Sequence, residues 1–163
     1  LCSVAVWTAP LALLTNWRWP KSLLYFWGLG LCLQGLVTPL RQDGLLSPAF
    51  WFFWFGHLAI VGSSMYQLVA LGFRPRPVDL RNAMIASALY VAAVVPLDLA
   101  FGWNYGFLGK ELLRTGNVLD HLGPWPLRPA LIVLVGVLTL SALYAIWWIP
   151  PLRWWREPAA AAQ

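Results

Sequence analysis

Four side chains capable of chemistry lie in otherwise apolar stretches of this sequence: Cys2, Gln34, His57 and Asp98. A cysteine is a strong nucleophile only as the thiolate, and an adjacent imidazole can take its proton and later protonate a leaving group. An Asp or Gln on the other imidazole nitrogen would fix the tautomer of the ring. In apolar surroundings such a Cys–His pair suits acyl transfer, because a thioester can be formed from one lipid and passed to another.

The composition indicates which kind of element must position these groups. Hydrophobic residues make up 60% of the chain and charged residues only 10%, and twelve of the 163 residues are Trp. A soluble domain carries about 25% charged residues. Apolar stretches of roughly 20 residues, the length that crosses a hydrocarbon core about 30 Å thick, occur repeatedly along the chain. The sequence therefore predicts an all-α protein, a polytopic transmembrane helix bundle.

Five spans are predicted, and the breaks between the first four join Pro or Gly to charged residues, as in "NWRWPK", "PLRQDG" and "FRPRPVD". Because no connecting loop is long enough to fold separately, residues 1–163 are predicted to form a single transmembrane helical domain. The first predicted span begins at the first residue of the sequence, so we expect the chain to be truncated at its N-terminus. The predicted spans are Leu1–Thr15, Ser22–Thr38, Pro48–Leu71, Leu80–Gly102 and Leu127–Ile149.

The four chemically capable side chains are predicted to lie at a similar depth in the bilayer. With a helical rise of about 1.5 Å per residue, Cys2 and His57 each lie roughly 21 Å from the inner end of their span. The same count places Gln34 at about 18 Å and Asp98 at about 24 Å. Four helices would thus contribute to one polar layer toward the outer leaflet, as a shared cavity requires.

Basic residues are unequally distributed between the two ends of the predicted spans. Seven Lys or Arg residues fall on the face that carries the C-terminus and four on the opposite face. The positive-inside rule then predicts a multi-pass cell-membrane protein whose C-terminus is cytoplasmic. Arg-rich inner loops are expected to lie against anionic lipid headgroups, so the basic charge requires no nucleic-acid partner. The seven are Arg18, Lys21, Arg74, Arg76, Arg81, Arg153 and Arg156, and the four are Arg41, Lys110, Arg114 and Arg128.

Each candidate residue also has a structural interpretation. A buried Cys is more often a packing residue than a nucleophile, and this holds for Cys2 and for Cys32, whose spacing indicates no disulfide framework. Gln34 and Asp98 can equally serve as hydrogen bonds between helices. His57 favours a functional role more strongly, because an unpaired imidazole in lipid is unfavourable.

The loop before the last span carries Asn104 and Tyr105, with Asp120 and His121 further along, and these side chains could recognise a lipid headgroup at the mouth of a cavity. The alternative, which we favour, is that hydrogen bonds within the loop hold it in place. His121 has no metal-ligand spacing with another His or Cys, so no metal site is predicted. No glycine-rich phosphate loop follows a strand, so no nucleotide or other cofactor is expected.

Several segments together resemble the YwaF-like integral membrane proteins of bacteria, which are similar to eukaryotic transmembrane protein 164. The resemblance is carried, in order and with matching spacing, by "FWGLGLCLQGLVTP", the aromatic run that ends in His57, "GFRP", "NYGFL" and "VLDHLGPWP". It implies further helices upstream and seven spans in the intact protein.

The resemblance also implies an activity. The eukaryotic relatives are regarded as CoA-independent phospholipid acyltransferases with a cysteine nucleophile and a histidine, which by motif position are Cys2 and His57 here. Membrane phospholipid would then be the partner. Asp98 stands where Asn is usual in the family. The alternative function is a small-solute or proton-coupled transporter or channel with His57 and Asp98 lining the pathway, although the sequence shows no internal repeat of the kind found in transporters.

Overall fold

The computed structural model describes residues 2–39, 44–111 and 121–149, and every regular element in them is helical. The all-α prediction is therefore confirmed for the described part of the chain. A π-helical turn, Gly28–Cys32, joins α2 to α3 without a break, and two short 3-10 turns follow α5 and α6. The helices are α1 Cys2–Leu14, α2 Arg18–Trp27, α3 Leu33–Val37, α4 Pro48–Val69, α5 Pro77–Phe101 and α6 Leu127–Ala145.

The starts of two helices fall earlier than predicted, inside segments that the sequence marks as breaks. Pro77 occupies the first turn of α5, where the missing N–H costs no hydrogen bond. The Asp79 carboxylate accepts the backbone N–H of Arg76 at 2.6 Å and so closes that first turn. In the same way α2 begins at Arg18, and Pro20 lies within its first turn. Proline and charge thus mark the first turns of these helices rather than the loops before them.

The central helix of the bundle is α2, which contacts α1, α4, α5 and α6. On one side, Phe26 packs against Ala83 of α5 and Leu140 of α6. On the other side, Leu24 packs against α1. The contact face of α1 consists of small residues, which let the two backbones approach closely and so bring the start of α1 against the middle helices. These small residues are Ala5, Ala9 and Ala12.

The surface of the bundle is apolar, whereas several polar side chains lie inside it. Trp7 of α1 is 75% exposed and Phe52 of α4 is 81% exposed. Gln67, Asp79 and Asp98 are buried. A soluble protein of this size would not expose such a large continuous apolar surface, but a protein surrounded by lipid chains does.

Two helical segments are long and apolar enough to cross a membrane, Pro77–Phe101 and Leu127–Trp148, with 25 and 22 residues. In each segment, only 11% of the most apolar 18-residue stretch is buried inside the protein, whereas the core helix of a soluble domain is mostly buried.

The other three predicted spans do not meet this test of length and composition in the described structure. The helix α1 has 13 residues. The predicted second span is built from three consecutive helical elements, α2, the π-helical turn and α3, and each of them alone is too short. The helix α4 is long enough, with 22 residues, but Trp, His, Tyr and Gln side chains lower its mean hydropathy.

Candidate active site

Cys2 lies in the first turn of α1, half-buried, and its side chain interacts with those of Cys32 and His57. The three side chains come from α1, the π-helical turn and α4. Because α1 packs against both of the other elements, a residue at its start meets them directly. The structure thus brings together the two residues, Cys2 and His57, whose shared depth was predicted from the sequence.

The imidazole of His57 is held by its own helix. Its Nδ1 lies 2.8 Å from the backbone carbonyl oxygen of Phe53, one turn earlier in α4. A carbonyl can only accept a hydrogen bond, so Nδ1 carries the proton and Nε2 of the neutral ring is left as an acceptor. The Phe53 ring lies against the imidazole with the two centroids 4.3 Å apart. Nε2 is therefore the nitrogen available to the thiol of Cys2.

Gly35 leaves the space that the His57 ring occupies. A Cβ atom at position 35 would lie 2.7 Å from both Nε2 and Cδ2 of the ring, well inside ordinary van der Waals contact. Any larger residue at position 35 would therefore push the imidazole away from its present position. Sequence reasoning missed Gly35, although its spacing from Cys32 is that of one helix face.

Cys32 is the second residue that the sequence analysis did not assign to the site. It ends the π-helical turn and is completely buried. Single π-helical turns are rare and often occur at functional sites, because they change which side chains face a neighbouring helix. Here the turn carries a thiol that can donate a hydrogen bond to the sulfur of Cys2.

Gln34 and Asp98, the two predicted orienters of the imidazole, make other contacts. Gln34 is exposed, and its Nε2 donates to the Gly30 carbonyl of the preceding turn at 3.3 Å. Asp98 is buried near the end of α5, where its Oδ1 accepts the backbone N–H of Tyr105 at 3.0 Å. The carbonyl of Phe53 takes the orienting position that had been expected for one of these side chains.

The loop after α5 is held by its own hydrogen bonds. The side chain of Asn104 accepts from the backbone N–H of Gly109 at 2.9 Å and donates to the carbonyl of Glu111 at 2.9 Å. Arg128, buried at the start of α6, donates to the carbonyls of both Gly109 and Glu111. Asn104 therefore holds the loop in place through hydrogen bonds within the loop, which is the interpretation that the sequence analysis favoured over headgroup recognition.

The remaining loop residues lie closer to the surface. The ring of Tyr105 is exposed and packs edge-on against Trp103. His121 is exposed as well, whereas Asp120 falls outside the described residues. The ring of Tyr90 of α5 lies against this loop, since a Cβ atom at Gly106 would be 3.4 Å from the Tyr90 hydroxyl.

The arrangement around Cys2 provides the parts of a thiol nucleophile. Nε2 of His57 can accept the thiol proton, the Phe53 carbonyl fixes the tautomer, and Cys32 can donate to the sulfur. Among residues 2–39, 44–111 and 121–149, no group of three or more His, Cys, Asp or Glu side chains could hold a metal ion.

Comparison with known proteins identifies a family. The family model of the TMEM164 family matches residues 1–149, most of the chain, and agrees with the resemblance noted in the sequence. No curated protein and no solved structure matches this chain.

Proposed function

The chain belongs to the TMEM164 family and is a membrane protein, and we propose that it is a phospholipid acyltransferase with Cys2 as nucleophile and His57 as general base. The observation that carries this proposal is the direct contact between the two side chains, with the other imidazole nitrogen held by the Phe53 carbonyl. A nucleophile, its base and a group that orients the base form the minimal arrangement for covalent catalysis.

The first half-reaction forms an acyl-enzyme. Nε2 of His57 takes the thiol proton while the Cys2 sulfur attacks the ester carbonyl carbon of a donor phospholipid. The C–O bond of the ester then breaks, and His57 gives the proton to the departing glycerol oxygen. A lysophospholipid leaves, and Cys2 carries the acyl chain as a thioester.

The second half-reaction returns the acyl chain to a lipid. His57 takes the proton of a hydroxyl group on an acceptor lysophospholipid, whose oxygen attacks the thioester carbonyl carbon. The C–S bond breaks, and the proton passes from His57 to the Cys2 sulfur. Atoms and charge balance over the two steps without coenzyme A or another cofactor.

Cys32 supports the same chemistry without reacting. Its S–H can donate to the Cys2 sulfur, and a hydrogen bond to an ionised acceptor is stronger than one between neutral groups. In this role Cys32 stabilises the thiolate while remaining protonated. It is a positioning residue, and Cys2 is the residue that forms the thioester.

We also propose that all five predicted segments cross the bilayer, with the C-terminus in the cytoplasm. Residues Arg18–Val37 form one continuous helical stretch through α2, the π-helical turn and α3. At about 1.5 Å per residue, this stretch and α4 each reach roughly 30 Å, the thickness of a hydrocarbon core. The distribution of basic residues supports the orientation, although Arg153 and Arg156 of the tail fall outside the described residues.

The contacts of His57 favour the enzyme over the transporter alternative. A transporter would use His57 and Asp98 as groups that line one pathway. The imidazole of His57 instead interacts with the Phe53 carbonyl and with the Cys2 side chain, while Asp98 accepts from the backbone N–H of Tyr105. Proton exchange with a thiol is the simplest use of such a histidine.

The experiment that tests the proposal is a lipid-remodelling assay on the full-length protein in phospholipid vesicles. Cys2→Ser and His57→Gln are expected to remove acyl exchange between phospholipids, because general-base catalysis typically contributes about 10²–10⁴-fold. The chain contains one other His, and His121→Gln is the matched control, since that residue is exposed on the outer loop. Full activity in Cys2→Ser or in His57→Gln would contradict the proposal.

A further inference from the structure

A second polar site lies at the opposite end of the bundle from Cys2. It is a cavity of about 790 Å³ between the start of α2, the α4–α5 connection and the end of α6, and we call it the basic pocket. Asn16, in the connection that follows α1, is one of its lining residues, and α1, which begins at Cys2, is about 20 Å long. The basic and amide residues that line it are Asn16, Arg18, Lys21, Gln67, Arg74 and Arg76.

The pocket carries an excess of positive charge. Four of its lining residues are basic and none is acidic. Asp79, next to the pocket, is fully buried and pairs with Arg18. Its carboxylate also accepts from Ser22 at 2.6 Å and from the backbone N–H of Arg76, so this acid is occupied by structural contacts. Lys21 and Arg76 therefore have no countercharge from the described residues that line the pocket.

Two of the guanidinium groups, those of Arg18 and Arg74, are held in place before any ligand arrives. Arg74 donates to the carbonyls of Leu68 and Phe73, and its guanidinium lies over the ring of Trp147 at 5.3 Å. Arg18 lies over the ring of Phe73 at 5.4 Å. A site whose charged groups are already ordered loses less entropy when it binds an anion.

Two buried polar atoms of the lining residues have no hydrogen-bond partner in the described structure. They are Nε of Arg18, a donor, and Oε1 of Gln67, an acceptor. Gln67 is completely buried, and its amide nitrogen donates to the carbonyl of Lys21 at 2.9 Å, which leaves the amide oxygen as the group that lacks a partner. A buried polar atom without a partner is costly, so a ligand with both an acceptor and a donor would satisfy the pair.

The aromatic residues around the pocket place it at the depth of lipid headgroups. Trp17 and Trp19, beside the start of α2, are 69% and 52% exposed. Trp148, in the 3-10 turn that follows α6, is a lining residue of the pocket itself. Exposed Trp residues at the ends of membrane helices lie at the interface between lipid chains and water.

We propose that the basic pocket binds the phosphate of an anionic phospholipid whose headgroup carries hydroxyl groups, such as phosphatidylglycerol. The phosphate oxygens pair with Arg18, Lys21 and Arg76, and a headgroup hydroxyl donates to Oε1 of Gln67. Basic pockets between helices at the membrane surface are suited to anionic headgroups. This inference does not depend on acyl transfer at Cys2.

The test is a titration of the full-length protein in detergent with short-chain phosphatidylglycerol, followed by native mass spectrometry. The double variant Lys21→Gln/Arg76→Gln removes two charges but leaves the Arg18–Asp79 pair intact, and it is expected to bind this lipid roughly 30-fold more weakly. Arg81→Gln is the matched control, because Arg81 is an exposed basic residue near the start of α5 that does not line the pocket. Thermal unfolding without added lipid verifies that each variant is folded.

The lipid itself is varied to identify the source of the phosphate. Phosphatidylcholine, which has no net charge and no headgroup hydroxyl, is expected to bind more weakly to the wild type and equally to all variants. Equal binding of phosphatidylglycerol by the wild type and the double variant would overturn the proposal. Inorganic phosphate that binds to the wild type as tightly as the lipid, and is lost in the double variant, would overturn the lipid assignment. If the double variant does not fold, Lys21→Gln alone is compared with Lys21→Arg, which should retain binding.

Discussion

Gly35→Ala is expected to impair proton transfer between Cys2 and His57 while the protein stays folded. The added Cβ would lie 2.7 Å from Nε2 and Cδ2 of the imidazole, whereas carbon contacts are most favourable at about 3.5–4.0 Å. The ring must therefore move by roughly 1 Å, which exceeds the tolerance of a hydrogen bond between a base and its nucleophile. A displacement of that size can cost about 10²-fold in rate.

The cost of this substitution in folding free energy is smaller than its effect on catalysis. Overpacking by one methyl group costs typically 1–3 kcal/mol, and a ring that can tilt relieves part of the strain. Gly62→Ala on α4 is the control, because a Cβ at that position has no neighbour within 4 Å. It should leave catalysis unchanged and stabilise the helix by roughly 0.5–1 kcal/mol.

Two assays separate the effect of the substitution on acyl transfer from its effect on the Cys2 thiolate. Acyl exchange in phospholipid vesicles reports on catalysis, and the rate of alkylation at Cys2, followed by peptide mass spectrometry, reports on the thiolate without reference to any lipid substrate. Gly35→Ala is expected to be slower than Gly62→Ala in both. If the two variants alkylate and exchange at the same rate, the imidazole at this position does not activate Cys2.

Three further predictions concern the bundle and its orientation. Gly28→Ala should lower the thermal unfolding temperature in detergent by disrupting the hydrogen bond from Ser64 to the carbonyl of Leu24, because the new Cβ would collide with the Ser64 hydroxyl, at a cost of about 1–3 kcal/mol. Asp79→Asn should destabilise the protein by roughly 1–3 kcal/mol in chemical denaturation, since a buried amide cannot accept from Arg18, Ser22 and the Arg76 N–H as the carboxylate does. A reporter fused after the last residue should behave as cytoplasmic, and periplasmic behaviour would instead place Cys2 in the inner leaflet.

The helices of this chain could be located from the sequence because proline and charge mark their ends in an apolar background. The predicted spans from Pro48 and from Leu127 begin where the structure has them begin. The π-helical turn Gly28–Cys32 could not be predicted, because the segment "GLGLC" is equally compatible with an ordinary helical turn. Its position depends on how the bundle packs around α2, and packing is not encoded in a local pattern.

Counting helical rise selected two residues of the candidate site but could not say which side chains face one another. The count predicted the same depth for Cys2 and His57, and in the structure these two side chains interact. The same count selected Gln34, which follows Cys32 by two residues and so points about 200° away around the helix. The residue that faces the cysteine is therefore Cys32, and the exposed Gln34 bonds to its own helix. A count along the axis gives depth, whereas the facing side chains depend on helix rotation and neighbours.

The acyl-enzyme itself can be observed in the intact protein. The full-length protein is incubated with a phospholipid whose acyl chain carries an alkyne, and the modified peptide is identified by mass spectrometry. The acyl chain is expected on Cys2 as a thioester that neutral hydroxylamine removes. It should be absent from His57→Gln, which is expected to fold but cannot take the thiol proton. An acyl chain found on Cys32, or label on Cys2 that is unchanged in His57→Gln, would contradict the proposed roles of these residues.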